Sequence, residues 1–277
     1  ASCLVGSEMC IRDSFPMSNS ALQVEIADRV ARVTINRPNA LNSVNAELHT
    51  ALSRVFIDLG ERRDIGVIVL TGAGKAFCAG GDIEWMKEAV REPEGFEIVT
   101  WEAKRIVYSM LDCEIPIIGR INGDAVGLGA TLALLCDITV MADHARIGDP
   151  HVRVGLNAAD GGGFLWPQMI GFGKARELLL TGDLLSAAEA KQLGAVGNVS
   201  TADELDAKVE ALVSKLKNGA TKAIRWTKAG YTIPLRQLAH GHMDAGTAYE
   251  CLTNLTQDHH EAVEAFASKR KPVFSGR

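Results

Sequence analysis

Long apolar runs are missing from this sequence. None approaches the roughly 18–20 residues of a membrane-crossing helix, which excludes a helical membrane span. Positive charge is also short: 29 Lys and Arg stand against 34 Asp and Glu, a formal net charge of −5 with no concentrated basic stripe. Nucleic-acid phosphate is thereby excluded as a partner. The six cysteines, Cys3, Cys10, Cys78, Cys113, Cys136 and Cys251, form no CxxC pair. Their scatter excludes a zinc ribbon or dithiol motif and predicts free thiols in a reducing compartment, the cytoplasm. No His-x-x-x-His accompanies a carboxylate set, so no metal and no separate cofactor are expected. A Pro/Gly/Ser-rich linker, low complexity and internal repeats are absent too.

What is present is an ordinary globular composition, 47% hydrophobic and 23% charged over 277 residues. That is enough for one large core or a core with a small appendage. The first half alternates strands and helices. "LQVEIADRVARVTINRP" predicts two short strands around Asp28 and Arg29. "NSVNAELHTALSRVFIDLGER" predicts a helix with Leu48, Leu52, Val55, Phe56 and Leu59 on one face, capped by Asn42 or Ser43. "IGVIVLTG" reads as a strand covered on both faces. A helix at 98–112, the strand "IPIIGRING" and the strand "DITVMA" continue the alternation, which favours an α/β fold with a mostly parallel sheet. The second half predicts helices at 163–169, 172–180, 187–192, 202–217, 219–228, 233–253 and 257–269 and hardly any strands. Residues 1–16 show no period and predict a disordered leader. A core over 17–199 and a helical region over 200–277 complete the expected division.

Three segments carry candidate chemistry. In residues 123–137, "GDAVGLGATLALLCD", three glycines precede a run with the apolar density of a buried helix. The first amides of a helix lack internal partners and sit at its positive end, so this turn can hold a negative oxygen. Small residues there equally suit close helix packing. Residues 72–86, "GAGKAFCAGGDIEWM", again crowd small residues at a strand exit. They lack both the GK[ST] ending of a phosphate loop and the GxGxxG pattern. Two such loops at neighbouring strand ends can converge on one carbonyl oxygen as an oxyanion hole. The third segment, "GDPHVRVGLNAADGGG" at 148–163, offers Asp149, His151 and Asp160 with Arg153 nearby. A folded-back loop would join the His151 imidazole to the Asp160 carboxylate for acid–base work near neutral pH. Helix capping by the aspartate is the plainer alternative, and serine catalysis lacks its GxSxG elbow.

In this order the segments resemble the crotonase (enoyl-CoA hydratase/isomerase) superfamily. "NRPNALNSVN", "VLTGAGKAFCAGGDIEWM", "GDAVGLGATLALLCDITVMADHARIGDPHVRVGL", "LLLTGDLLSAAEAKQLGAVGNV" and "FASKRKPVF" carry the resemblance, from about Leu22 to Phe274. It implies a spiral of ββα turns with a perpendicular sheet, and a C-terminal helical region that assembles trimers, often paired into hexamers. It implies that the N–H groups of Gly81 and Leu128 form the oxyanion hole for an acyl-CoA thioester, with coenzyme A entering as part of the substrate. Ala79, Gly81 and Ile83 would line the adenine pocket, and Lys269 or Lys271 with Phe274 would contact coenzyme A from the tail or a neighbouring subunit. The family's two catalytic glutamates would fall at 131 and 151, where this chain has Thr131 and His151. His151 with Asp160 is instead similar to the pair in the family's carbon–carbon hydrolases of cyclic β-diketones, as is the Trp166–Pro167 step. Enoyl-CoA hydration, carbon–carbon hydrolysis, an isomerase, decarboxylase or thioesterase variant, and a non-catalytic scaffold remain as readings, in that order.

Overall fold

The structure, a computed structural model, describes residues 19–277, so the expected leader lies outside the described residues. Strands β1 (Leu22–Ala27) and β2 (Val30–Ile35) form an antiparallel hairpin. Asp28 and Arg29 between them both take left-handed backbone, φ 47° and 65°, the conformation of a tight two-residue turn. Helix α1 (Ala46–Gly60) buries Leu48, Leu52, Val55, Phe56 and Leu59 completely. Each such side chain contributes about 1.5–3 kcal/mol on leaving water.

The helix cap is Asn45, which accepts from the Leu48 amide, and not Asn42 or Ser43. Asn42 is buried and serves a different purpose. It donates to the carbonyls of Ala73 (2.8 Å) and Ala76 (2.7 Å), fastening the loop that follows β3 (Val67–Gly72).

The chain continues through α2 (Ile83–Arg91), α3 (Phe96–Asp112), β4 (Ile117–Ile121), β5 (Ala125–Val126), α4 (Leu128–Leu135), β6 (Ile138–Ala142) and β7 (Arg146–Gly148). A 3₁₀ turn at His151–Val154 leads to α5 (Gly162–Thr181), β8 (Leu184–Ser186), α6 (Ala187–Leu193) and β9 (Asn198–Ser200). Helices α7 (Ala202–Lys217), α8 (Thr221–Tyr231), α9 (Ile233–Asn254) and α10 (Gln257–Ala267) complete it.

Six strands form the main sheet in the order β1-β2-β3-β4-β6-β9, parallel from β2 onward, and β5-β7-β8 form a second sheet. The α/β class and its C-terminal helical extension match the sequence reading. The paired expectation of helices at 163–169 and 172–180 corresponds to α5, which breaks at Gly171 (φ 77°). Two expectations need correction. The segment at 82–91 is a helix capped by Asp82, whose side chain accepts from Glu84 N. The second half does contain strands, β8 and β9. At three residues each they are too short to show a period of two. Helix α7 packs on β3, β4, β6 and β9, so the first C-terminal helix covers the sheet. No helix among the described residues is long and apolar enough to cross a membrane.

Candidate active site

Because β3 and β4 run parallel, the loops after them leave the same edge of the sheet. Val126 N donates to Cys78 O (2.9 Å) and Cys78 N to Asp124 O (3.1 Å), joining the two loops side by side. Asn122 strengthens the junction by accepting from Gly72 N (3.1 Å) and donating to Gly74 O (3.0 Å). Gly81 lies at the end of the first loop, and Leu128 is the first residue of α4. Neither amide has an acceptor among the described residues. Both residues line one cavity. Gly127, between the loop and α4, has φ 56° and a built Cβ would lie 3.4 Å from His151 Cε1. A side chain there would be strained and would crowd the imidazole.

The third segment folds onto the same cavity. His151 sits in the 3₁₀ turn after β7, and Asp160 precedes α5; both line the cavity. His151 Nε2 lies 3.7 Å from Asp160 Oδ2, and Nδ1 is hydrogen-bonded to Asp149 Oδ1. The imidazole is therefore held between two carboxylates. Asp149 was a candidate in the sequence, but its pairing with the ring was not anticipated. Thr131, fully buried on α4, donates to Asp160 Oδ1 at 3.3 Å.

The triple glycine at 161–163 makes room for these side chains. A Cβ at Gly161 would meet Thr131 Cγ2 at 2.8 Å, one at Gly162 would meet Asp149 Oδ2 at 1.8 Å, and one at Gly163 would meet His242 Cε1 at 2.5 Å. The start of α5 thus brings backbone directly against Asp149. The positive helix end there favours an anionic oxygen.

A fourth ionisable group, Glu250, enters from α9. It could have been found from spacing: Ala239, Met243, Gly246, Glu250 and Asn254 form a buried stripe at three-to-four intervals, so an acid falls where an apolar residue belongs. Burial pushes its carboxyl up to about 8; the nearby Asp160 and Asp149 push it the same way, against the pull of His151. Burial opposes a charged His151, but Asp149 and Asp160 outweigh it and hold the imidazole well above its ordinary value. Burial likewise raises Asp160, partly offset by His151 and by the Thr131 hydroxyl. The resting site therefore favours an imidazolium beside Asp149, with a protonated Glu250 close to Asp160.

Asp149, His151 and Asp160 place possible metal-binding atoms within 4.8 Å of one another.

A second groove adjoins the cavity and shares Gly81, Met86 and His151 with it. Ala79, Gly81 and Ile83 line this groove, as does Phe266 from α10. Lys269, Lys271 and Phe274 are exposed and line neither space. The tail bearing them is fastened at Glu261, which accepts from Arg270 (2.7 Å) and from Val273 N (2.8 Å).

Comparison with known proteins agrees with this architecture. The family described as "Enoyl-CoA hydratase/isomerase" matches residues 25–277. A short-chain-enoyl-CoA hydratase of Clostridium acetobutylicum is 31% identical, the alignment covering 92% of this chain and 97% of that protein. A crystal structure of an enoyl-CoA hydratase/isomerase from Mycobacterium paratuberculosis superposes with a TM-score of 0.86 at 35% identity, covering 89% of this chain and 98% of the other. A beta-diketone hydrolase from the cyanobacterium Anabaena sp. PCC 7120, bound to (S)-3-oxocyclohexyl acetic acid, superposes with a TM-score of 0.79 at 27% identity, covering 85% and 94%. With this match running through the sheet, both loops and the helical extension, the chain belongs to the enoyl-CoA hydratase/isomerase family.

Proposed function

We propose that the protein is a lyase-type enzyme of acyl-CoA thioesters, hydrating an enoyl-CoA through an enolate held at Gly81 N and Leu128 N. One observation carries the reading: Gly81 and Leu128, whose amides lack acceptors among the described residues, line the same cavity as His151 and Asp160, with Asp149 bonded behind the His151 ring. Coenzyme A enters as part of the substrate, its adenine end in the groove lined by Ala79, Gly81 and Ile83. Lys269, Lys271 and Phe274 act on the coenzyme A of a neighbouring subunit, which suits their exposure here.

In the proposed reaction the thioester oxygen accepts from both amides. Asp160 takes a proton from water as the water oxygen bonds to C3, and the C2–C3 π electrons move into the enolate. Collapse of the enolate, with Asp160 delivering the proton it took from water to C2, restores the thioester and returns Asp160 to its starting state. The amides act where negative charge develops, which is where preorganised donors contribute most. His151 is a positioning group for Asp160 and Asp149 holds its ring, replacing the glutamate pair expected at 131 and 151.

The superposition with the beta-diketone hydrolase favours a second reading. There, water activated by the same cluster attacks a ketone carbonyl, a carbon–carbon bond breaks, and the departing enolate rests on the same two amides. Offering crotonyl-CoA, a cyclic β-keto acyl-CoA and a free cyclic 1,3-diketone separates the two. Mass spectrometry with fragmentation distinguishes added water from an opened ring. The first reading expects turnover of thioesters; faster turnover of the free diketone overturns it.

The protein is further proposed to be cytoplasmic, and to form a trimer or dimer of trimers through residues 200–277. Exposed Trp226, Tyr249, Leu252 and Leu255 on that region support an assembly surface. Light scattering that finds a stable monomer overturns the assembly.

A further inference from the structure

The cavity is lined by a second histidine, backed by a carboxylate, that the reaction does not use. His49 on α1 is 3% exposed, lines the cavity, and its Nδ1 lies 2.8 Å from Glu102 Oε2 on α3. Burial works against the Glu102 carboxylate, but bonds from His49 and Thr50 outweigh it and hold the acid below its ordinary value. An ionised carboxylate only accepts, so Nδ1 is the donor, and in the tautomer carrying a single ring proton Nε2 is left as an acceptor. Nε2 has no protein partner among the described residues.

An independent polar atom points to the same need. Asn254, 1% exposed, also lines the cavity, and its Nδ2 donates to Ala89 O at 3.3 Å on α2. That bond assigns the amide orientation, because a carbonyl can be met only by the NH₂ end. The buried Oδ1 then stands without a donor. Both groups flank α2: Asn254 bonds to Ala89, and the His49 ring lies 5.3 Å from that of Trp85 one turn earlier. A buried acceptor left unpaired, as Asn254 Oδ1 is, is costly, and a ligand that satisfies it recovers that cost.

We infer that the acyl pocket selects a chain carrying a hydroxyl group beyond the reacting carbons, which donates to His49 Nε2 or Asn254 Oδ1. The inference rests on the acyl-CoA reading above and adds a substrate class to it: hydroxylated acyl thioesters over plain ones. The other lining of this wall, Trp85, Phe96, Val99 and Ala103, is apolar and accommodates the methylene stem.

The test measures binding without catalysis. Isothermal titration of the full chain with hexanoyl-CoA and 6-hydroxyhexanoyl-CoA, and with octanoyl-CoA and 8-hydroxyoctanoyl-CoA, gives a preference ratio for each pair. At least one hydroxylated ligand should bind about 10-fold more tightly than its plain partner, the scale of a hydrogen bond to an otherwise unsatisfied buried acceptor. The double variant His49→Phe/Glu102→Leu removes the pair without leaving a bare carboxylate, and should bring the ratio to about 1 if His49 is the acceptor. Asn254→Ala should do so if Asn254 is. A purely structural role would weaken plain and hydroxylated ligands alike and keep the ratio.

Equal binding of both members of each pair by the unmodified protein overturns the inference and leaves the acyl-CoA reading standing. A ratio unmoved by either variant overturns it as well. Absence of binding by all four thioesters overturns both.

Discussion

Replacing Glu250 by Gln isolates the most unusual ionisation in the site. The folded chain holds this carboxyl at about 8, against 4.5 for the ordinary side chain. The native state therefore binds the Glu250 proton more tightly than the unfolded state does. The stabilisation from that proton is fully present below 4.5, declines as pH rises, and is lost by about pH 8. Integrating proton release between pH 5 and pH 8 gives about 3–4 kcal/mol of stability lost through this one group. Gln carries no proton to lose and has almost the same shape. Urea unfolding of both proteins, at one protein concentration, should show the advantage of Glu250→Gln (E250Q) growing by about that amount from pH 5 to pH 8. His151 and Asp160 are present in both chains, so their own titration cancels to first order. A difference between the two proteins that does not change with pH would refute the reasoning. Glu250 would then ionise normally and stand as a carboxylate beside Asp160.

Asp149→Asn removes the carboxylate that holds the His151 ring, which in turn positions Asp160, and kcat/KM should fall on the order of 10²–10⁴-fold, up to the loss seen when the acid orienting a triad histidine is removed. Steady-state kinetics on the best thioester checks this. Gly162→Ala should reach a similar loss indirectly, because its Cβ would lie 1.8 Å from Asp149 Oδ2; Gly95→Ala, with nothing within 4 Å, is the neutral comparison. Thr131→Val keeps the shape but removes the donor to Asp160, and should lower kcat by about 5-fold, the value of one ordinary hydrogen bond. An unchanged kcat would remove Thr131 from the site.

Local pattern made much of the fold legible. The apolar face of α1 and the continuous apolar run of β3 reflect burial directly, since a side chain that must leave water repeats at the period of its element. The hairpin at Asp28–Arg29 and the break at Gly171 were visible for the same local reason. Helix α2 was missed because small residues leading into it read as loop, although Asp82 is a serviceable cap. Strands β7, β8 and β9 have three residues each and exist through the partners that pair with them.

The site divides in the same way. Gly81, Leu128, His151 and Asp160 could be named from the chain because their segments carry local signals: glycine before a helix, and titratable groups nine residues apart. The partners that set their chemistry could not. Periodicity reports that a residue is buried, not what it is buried against. His49 and Glu102 are 53 residues apart, and Glu250 comes 90 residues after Asp160 on a helix whose stripe would ordinarily be apolar. Asp149 lies only two residues from His151, yet which carboxylate takes which ring nitrogen depends on α5 arriving with glycine at 162. The sequence by itself determined which segments could bear an anion or move a proton. Tertiary structure alone decided the ionisation of the site, because Coulomb coupling and desolvation depend on distance and burial in space, and chain separation measures neither.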